Sequence, residues 1–159
     1  MWTSPGVHMA LRAFAYVSEA VEGIDGTGID RILAEASSFN RVAGVTGVLM
    51  FDGRRFLQYI EGPDDGVAPV EQRVINARSH RQVRELARGE VATRHFPRWT
   101  MASARIEPEV MNAVVDADWD GFSAAAPVDG QRRVGFARLL ELWTGVSGEL
   151  EPAAVTLGS

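Results

Sequence analysis

The spacing of apolar residues changes several times along the chain, and each change marks an element. Residues 11–18, LRAFAYVS, alternate in side-chain direction and predict a first strand. Residues 23–30, GIDGTGID, form a turn-rich link. Ile29, Ile32, Leu33 and Ala36 then recur at i, i+3, i+4 and i+7, the stripe of an amphipathic helix. Thr27 with Asp30 predicts its N-cap pair, and the helix is expected to end near Asn40. Residues 45–51, VTGVLMF, are continuously apolar, as in a strand covered on both faces. Asp52-Gly53 signals a tight hairpin turn, and RFLQYIEG returns as the partner strand. Pro63, Asp64 and Asp65 predict a second helix start, with Val67, Val70 and Val74 on its apolar face. Pro69 is expected close to that helix's first turn, where proline is tolerated. VRELARGEVA predicts a fourth strand and RWTMASARI a fifth.

This β-α-β-β-α-β-β order predicts a ferredoxin-like α+β sandwich, with two helices on one face of a mixed sheet. Beyond Pro108 the chain becomes alanine-rich and helical. Phe136, Leu139, Leu140 and Trp143 fall at i, i+3, i+4 and i+7, so this helix needs an apolar surface to cover. The other face of the sheet is the expected surface, and residues 122–130 read as the loop before the helix. The expected division is an extension over 1–9, a domain over 10–106 and a helical extension over 107–159.

Composition narrows the chemistry. The chain has 159 residues, 46% of them hydrophobic, enough for one domain with a real core. It has no cysteine, which excludes disulfides, thiol nucleophiles and thiolate metal sites. All 16 basic residues are arginine, so Schiff-base chemistry and a P-loop lysine are excluded too. A net charge of −5 argues against a dedicated nucleic-acid binder. No apolar run approaches the ~20 residues of a membrane span. The first residues lack a secretory pattern, so a cytoplasmic protein without membrane partners is expected.

Several polar or soft residues sit where a plain core does not need them: Tyr16, Asn40, Gln58, Trp99 and Met101. Gln58 is the sharpest case, because a buried amide must find partners or cost free energy. Trp99 and Met101, two apart in the predicted fifth strand, are expected on one face. Taken singly, each has a plain explanation. A strand tyrosine is usually a core aromatic, Asn favours helix ends, and Trp and Met commonly fill cores. His80 reads as a turn residue, and His8, His80 and His95 lack metal-ligand spacing. Glu61 and the Asp64-Asp65 pair read as a strand end and a helix start rather than as acid–base groups.

The ordered combination is more specific. A tyrosine in strand one, Asn-x5-Thr-Gly, Phe-Leu-Gln-x-x-Glu-Gly and Phe-Pro-x-Trp-x-Met follow one another in register. In this the chain resembles the BLUF family, blue-light sensors that use flavin, over about residues 10–105. The resemblance implies a non-covalently held flavin between the two helices, usually FAD, with FMN or riboflavin as alternatives. It implies that Gln58 lies between the ring and Tyr16, and that Asn40 bonds a ring carbonyl. Arg73 and His80 match positions near the ring edge or side chain. Trp99 and Met101 match the pair that reports the light signal. Ser79 departs from the family, which often has arginine there, and Arg78 or Arg81 is expected to compensate. The resemblance further implies a photoreceptor rather than an enzyme. Tyr16 would give an electron and a proton to the excited flavin and take them back, and the Gln58 amide would rearrange. Output is expected through a homo-oligomer or an unidentified downstream protein, because residues 107–159 are too few for a cyclase or phosphodiesterase domain. Two other readings stay open: a BLUF-derived interaction module without flavin, and a small α+β hydrolase using an arginine and Asn40.

Overall fold

The computed structural model describes residues 10–119, 121–122 and 135–147. Among them the order is β1 (Leu11–Ala20), α1 (Gly26–Ala43), β2 (Thr46–Phe51), β3 (Arg55–Pro63), α2 (Asp64–Ile75), β4 (His80–Val91), β5 (Ala102–Arg105), α3 (Pro108–Val115) and α4 (Gly135–Ser147). The strands form one sheet in the order β4-β1-β3-β2-β5. Only the β2–β5 pairing is parallel. This is the expected α+β sandwich, and its two central antiparallel strands, β1 and β3, carry Tyr16 and Gln58.

The strand alternation sends side chains into two apolar layers. Phe14, Leu49, Phe56 and Ile60 face α1 and α2, where Leu33, Val67 and Val70 close the layer. Ala13, Val48, Met50, Leu57 and Tyr59 face the other way, toward Met111, Phe136, Leu139 and Trp143 of α3 and α4. A strand covered on both sides has no polar face to show, which explains the unbroken apolar run in β2. Each fully buried leucine- or phenylalanine-sized side chain contributes about 1.5–3 kcal/mol to that closure. The loop read at 122–130 lies mostly outside the described residues.

Several boundaries differ from those predicted. The N-cap of α1 is Asp25, which has extended backbone angles and accepts a hydrogen bond from Gly28 N at 2.9 Å. Thr27 is already inside the helix, so the Thr27–Asp30 pair does not cap it. The helix passes Asn40 and ends at Gly44, whose φ of 74° is a left-handed cap. Pro69 is the sixth residue of α2, beyond the first turn. It is exposed, so the Asp65 carbonyl that loses its helical partner can bond to water.

The fifth strand is the main correction. It spans only Ala102–Arg105, and residues 98–101 bend out of the ladder before it. Trp99 and Met101 therefore do not share a face. Trp99 joins the α3/α4 layer and Met101 the α1/α2 layer. A period of two holds only along an extended chain.

Side-chain bonds tie the loops to this frame. Asp52 closes the β2–β3 turn by accepting from Arg54 N at 2.9 Å and Arg55 N at 2.7 Å. Burial opposes the Asp52 charge, but these bonds and the Arg55 guanidinium hold its carboxyl below the usual range. Arg55 reaches on to Asn112 Oδ1 at 2.7 Å and joins the hairpin to α3. Glu61 is fully buried rather than a plain strand end. Its carboxylate accepts from His95 N at 2.7 Å, Phe96 N at 2.6 Å and Tyr59 Oη at 2.7 Å.

Gly47 lies where backbones approach closely. A Cβ there would stand 2.1 Å from the Tyr59 carbonyl oxygen of β3. Gly47→Ala is therefore expected to lower stability by about 1–3 kcal/mol or more through overpacking. A urea midpoint below wild type checks this; an unchanged midpoint would mean that β2 and β3 part without strain.

Candidate functional site

A cavity of about 600 Å³ opens between α1, α2 and the central strands. Its walls are apolar at Ile24, Ile32, Leu49, Phe56 and Val74. Its polar lining residues include Tyr16, Gln58, His80, Glu35 and three arginines, Arg31, Arg73 and Arg78, with Asn76 and Ser79 beside them. An apolar slot with a few convergent polar groups is the usual build of a small-molecule site.

Tyr16 and Gln58 face each other across the β1–β3 ladder. The Tyr16 hydroxyl donates to Gln58 Oε1. The other end of the amide, Nε2, donates to Met101 Sδ at 3.6 Å. Both contacts favour the same orientation. A thioether sulfur only accepts, so it takes the N–H end, and the carbonyl end is left for the phenol. The amide carries a second N–H, and among the described residues nothing bonds it. It is available to a ligand in the cavity.

His80 packs edge-on to Tyr16, with ring centroids 5.6 Å apart. Its Nε2 lies 2.6 Å from the Val74 carbonyl oxygen and so carries the proton. Nδ1 then accepts from the Ser18 hydroxyl at 2.7 Å. Both nitrogens are engaged by the protein. His80 thus offers a ligand its ring surface, not a hydrogen bond.

Burial pushes the Tyr16 phenol well above its ordinary pKa, while the positive charge of Arg73 pulls the other way. Arg73 lies over the Phe39 ring, 5.2 Å from its centroid. Arg78 lines the cavity beside Ser79, whereas Arg81 pairs with Glu19 at 4.0 Å.

Of the expected residues, Tyr16, Gln58, Arg73 and His80 line the cavity. Asn40 is buried, is not among the lining residues, and donates from Nδ2 to the Thr100 carbonyl at 2.7 Å. Met101 reaches the site through Gln58. Trp99 faces away and meets Trp143 edge-on, with centroids 5.6 Å apart. Ser18 and Arg31 escaped the sequence reading. Ser18 lies two residues beyond Tyr16 on the same side of β1, a spacing that could have flagged it. Arg31 looks like any solvated helix arginine in the sequence.

The comparisons with known proteins agree with this geometry. The family model described as BLUF, sensors of blue-light using FAD, matches residues 11–102. The chain belongs to the BLUF family. The photoactivated adenylate cyclase beta subunit of Euglena gracilis is 28% identical over 98 residues, covering 61% of this chain and 11% of that protein. The corresponding subunit of Euglena longa is 26% identical over the same shares. The chain thus spans 11% of the length of these curated relatives. BlsA in its ground state superposes with a TM-score of 0.60 at 21% identity, covering 67% of this chain and 72% of that one. BlrB, a BLUF protein in its dark state, gives 0.57 at 23%, covering 66% and 78%. Klebsiella pneumoniae BlrP1 with FMN and cyclic diGMP gives 0.54 at 29%, covering 61% and 26%. Among the described residues, no helix is long and apolar enough to cross a membrane.

Both tyrosines of the chain, Tyr16 and Tyr59, are buried. Tyr59 is raised by burial and then by the Glu61 carboxylate beside it. The folded protein is therefore expected to show no tyrosinate absorbance at pH ~11, where the unfolded chain, with pKa near ~10, shows two. Proton loss favours the unfolded state, so stability from this source is present below pH ~10 and falls as pH rises further. Tyrosinate appearing near pH ~10 without unfolding would contradict the burial.

Proposed function

We propose that the chain is a blue-light photoreceptor whose switch is the hydrogen-bonded set Tyr16–Gln58–Met101 beside a bound flavin. The observation that carries this is the Gln58 amide, fixed at both ends by protein yet still offering an N–H to the cavity. An amide between a phenol and a ligand can present either end to either neighbour.

The residues present fit a flavin. Ile24, Ile32, Leu49, Phe56 and Val74 supply apolar surface for a fused ring, and Gln58 supplies a polar contact at its edge. Arg31, Arg73 and Arg78 suit the phosphates of FAD or FMN, which riboflavin lacks. BlrP1, similar to this chain, is described with FMN. Arg78 takes the role that Ser79 gives up. When bound, the flavin supplies absorption of blue light and electron exchange. The chain does the rest. Tyr16 holds a proton at Oη in apolar surroundings that disfavour phenolate, so charge on this residue is short-lived. Gln58 answers by turning its amide. Met101 registers the turn, because its sulfur can accept from the amide N–H but cannot donate to the carbonyl end. In this reading the domain senses and does not catalyse a reaction. Output passes to a separate protein or to a second copy, in the cytoplasm.

Asn40 enters this reading through Thr100. A flavin contact from Asn40 uses amide capacity left over from that bond.

Gln58→Leu is close in size and removes the amide. The variant is expected to fold and to bind FAD, measured by fluorescence quenching, within about tenfold of wild type, since one hydrogen bond contributes about 0.5–1.5 kcal/mol. Its light-minus-dark absorption difference should lose the reversible red shift that wild type shows. A wild-type red shift in Gln58→Leu would remove Gln58 from the switch. A wild type that binds no flavin would overturn the function as a whole.

A further inference from the structure

The side chains of Trp99 and Met101 are held softly, and the residue between them firmly. Met101 is held through a thioether, a weak acceptor, at 3.6 Å. Trp99 is buried, but its Nε1 has no hydrogen-bond partner among the described residues, and it meets Trp143 through ring contact alone. Thr100, by contrast, is gripped twice by α1. Its hydroxyl bonds the Ser37 hydroxyl, and its carbonyl accepts from Asn40 Nδ2 at 2.7 Å. The preceding carbonyl, on Trp99, accepts from Gly47 N of β2 at 3.0 Å.

Ser37 and Asn40 are three residues apart, so they lie on one face of α1. Both are almost completely buried. Thr100 is half-buried, but the Ser37 hydroxyl is fully buried, so breaking their bond leaves Ser37 unsatisfied at a cost. The backbone of the short segment is therefore fixed at the Trp99 carbonyl and at Thr100, with a side chain directed to each side of the sheet, and Thr100 is the residue that α1 holds.

We propose that Ser37 and Asn40 form a clamp on Thr100 that sets the resting register of this segment, Met101 toward Gln58 and Trp99 toward Trp143. Ser37 is a positioning residue: it acts on both through Thr100 and does not line the cavity. α1 contributes Arg31, Ile32, Glu35 and Ala36 to the cavity wall and Ser37 and Asn40 to the clamp. A displacement of α1 by a ligand reaches Thr100 without passing through Gln58. The clamp belongs to the resting protein. Its role in signalling rests on the function proposed above.

The test uses the full chain in the dark, labelled with fluorotryptophan. Trp99→Phe assigns the Trp99 resonance, and Trp119, whose Nε1 bonds the Val114 carbonyl at 2.9 Å on the same side of the sheet, serves as the control. Thr100→Val keeps the shape and loses the hydroxyl, and Thr100→Ser keeps the hydroxyl. In Thr100→Val the Trp99 resonance is expected to shift or split while Trp119 stays in place, and Thr100→Ser should resemble wild type. Amide exchange at residues 99–101 should quicken about tenfold in Thr100→Val and in Ser37→Ala, with β1 and β3 unchanged. A Trp99 resonance and local exchange identical to wild type in both variants would overturn the clamp. So would faster exchange spread equally over β1 and β3, which marks plain destabilisation. None of these readings needs light. A wild type without a light-induced spectral shift overturns the proposed function, whereas unchanged Trp99 and exchange signals overturn the clamp.

Discussion

An amide in the middle of an apolar sheet has to be satisfied at both ends, and the placement of the site follows from that need. Gln58 sits buried on a central strand, away from a free edge, with only the cavity beside it open. Its carbonyl end finds Tyr16 on the neighbouring strand, in direct register. Its N–H end finds Met101, the residue just before β5, which lies in the same α1/α2 layer. Leaving either end unpaired would cost about 1–3 kcal/mol. A half-turn of the amide would exchange its donor and acceptor ends and turn the carbonyl toward a sulfur that cannot donate, which is the change the proposed switch uses.

The two apolar layers give that local arrangement a longer reach. The pocket lies between the sheet and α1/α2, while α3 and α4 cover the opposite face. Residues 99–101 are where the layers are joined by adjacent side chains, Met101 in one and Trp99 in the other. Glu61 holds the upstream part of the same stretch through the backbone N–H groups of His95 and Phe96. The side chains of Trp99 and Met101 hold loose contacts with firm ones around them, which suits the proposed switch: the segment would keep its place while its side chains exchange partners.

Much of this was legible in the sequence. The strand and helix order followed from period and turn residues, and the two-sided burial of β2 followed from its unbroken apolar run. Gln58 stood out because it breaks an apolar pattern, and Tyr16 and Gln58 met as expected once β1 paired with β3. Legibility failed where local pattern loses its meaning. RWTMASARI reads as a strand throughout, but only its second half pairs, because the anchors of Trp99 and Thr100 are a β2 amide and two α1 side chains distant in sequence. Asn40 read as a helix end because Asn favours that position, yet Gly44, with its positive φ, ends the helix and frees Asn40 to bond Thr100. Glu61 read as a strand end, since nothing nearby in the sequence announces the two backbone donors that make its burial tolerable. Ser18 and Ser37 gave no signal of their own, because a serine's role is defined by the partner it meets in space.

The central claim is the orientation of one side-chain amide, and it can be observed directly. With nitrogen-15 in glutamine and carbon-13 in the methionine methyl groups, the flavin-loaded protein in the dark should show a nuclear Overhauser contact between the Gln58 side-chain NH₂ and the Met101 methyl group. Under blue light that contact should weaken, and one to the Tyr16 ring should strengthen, as the amide ends exchange. A dark protein with no Gln58–Met101 contact, or a contact pattern unchanged by light while the absorption spectrum shifts, would contradict the account.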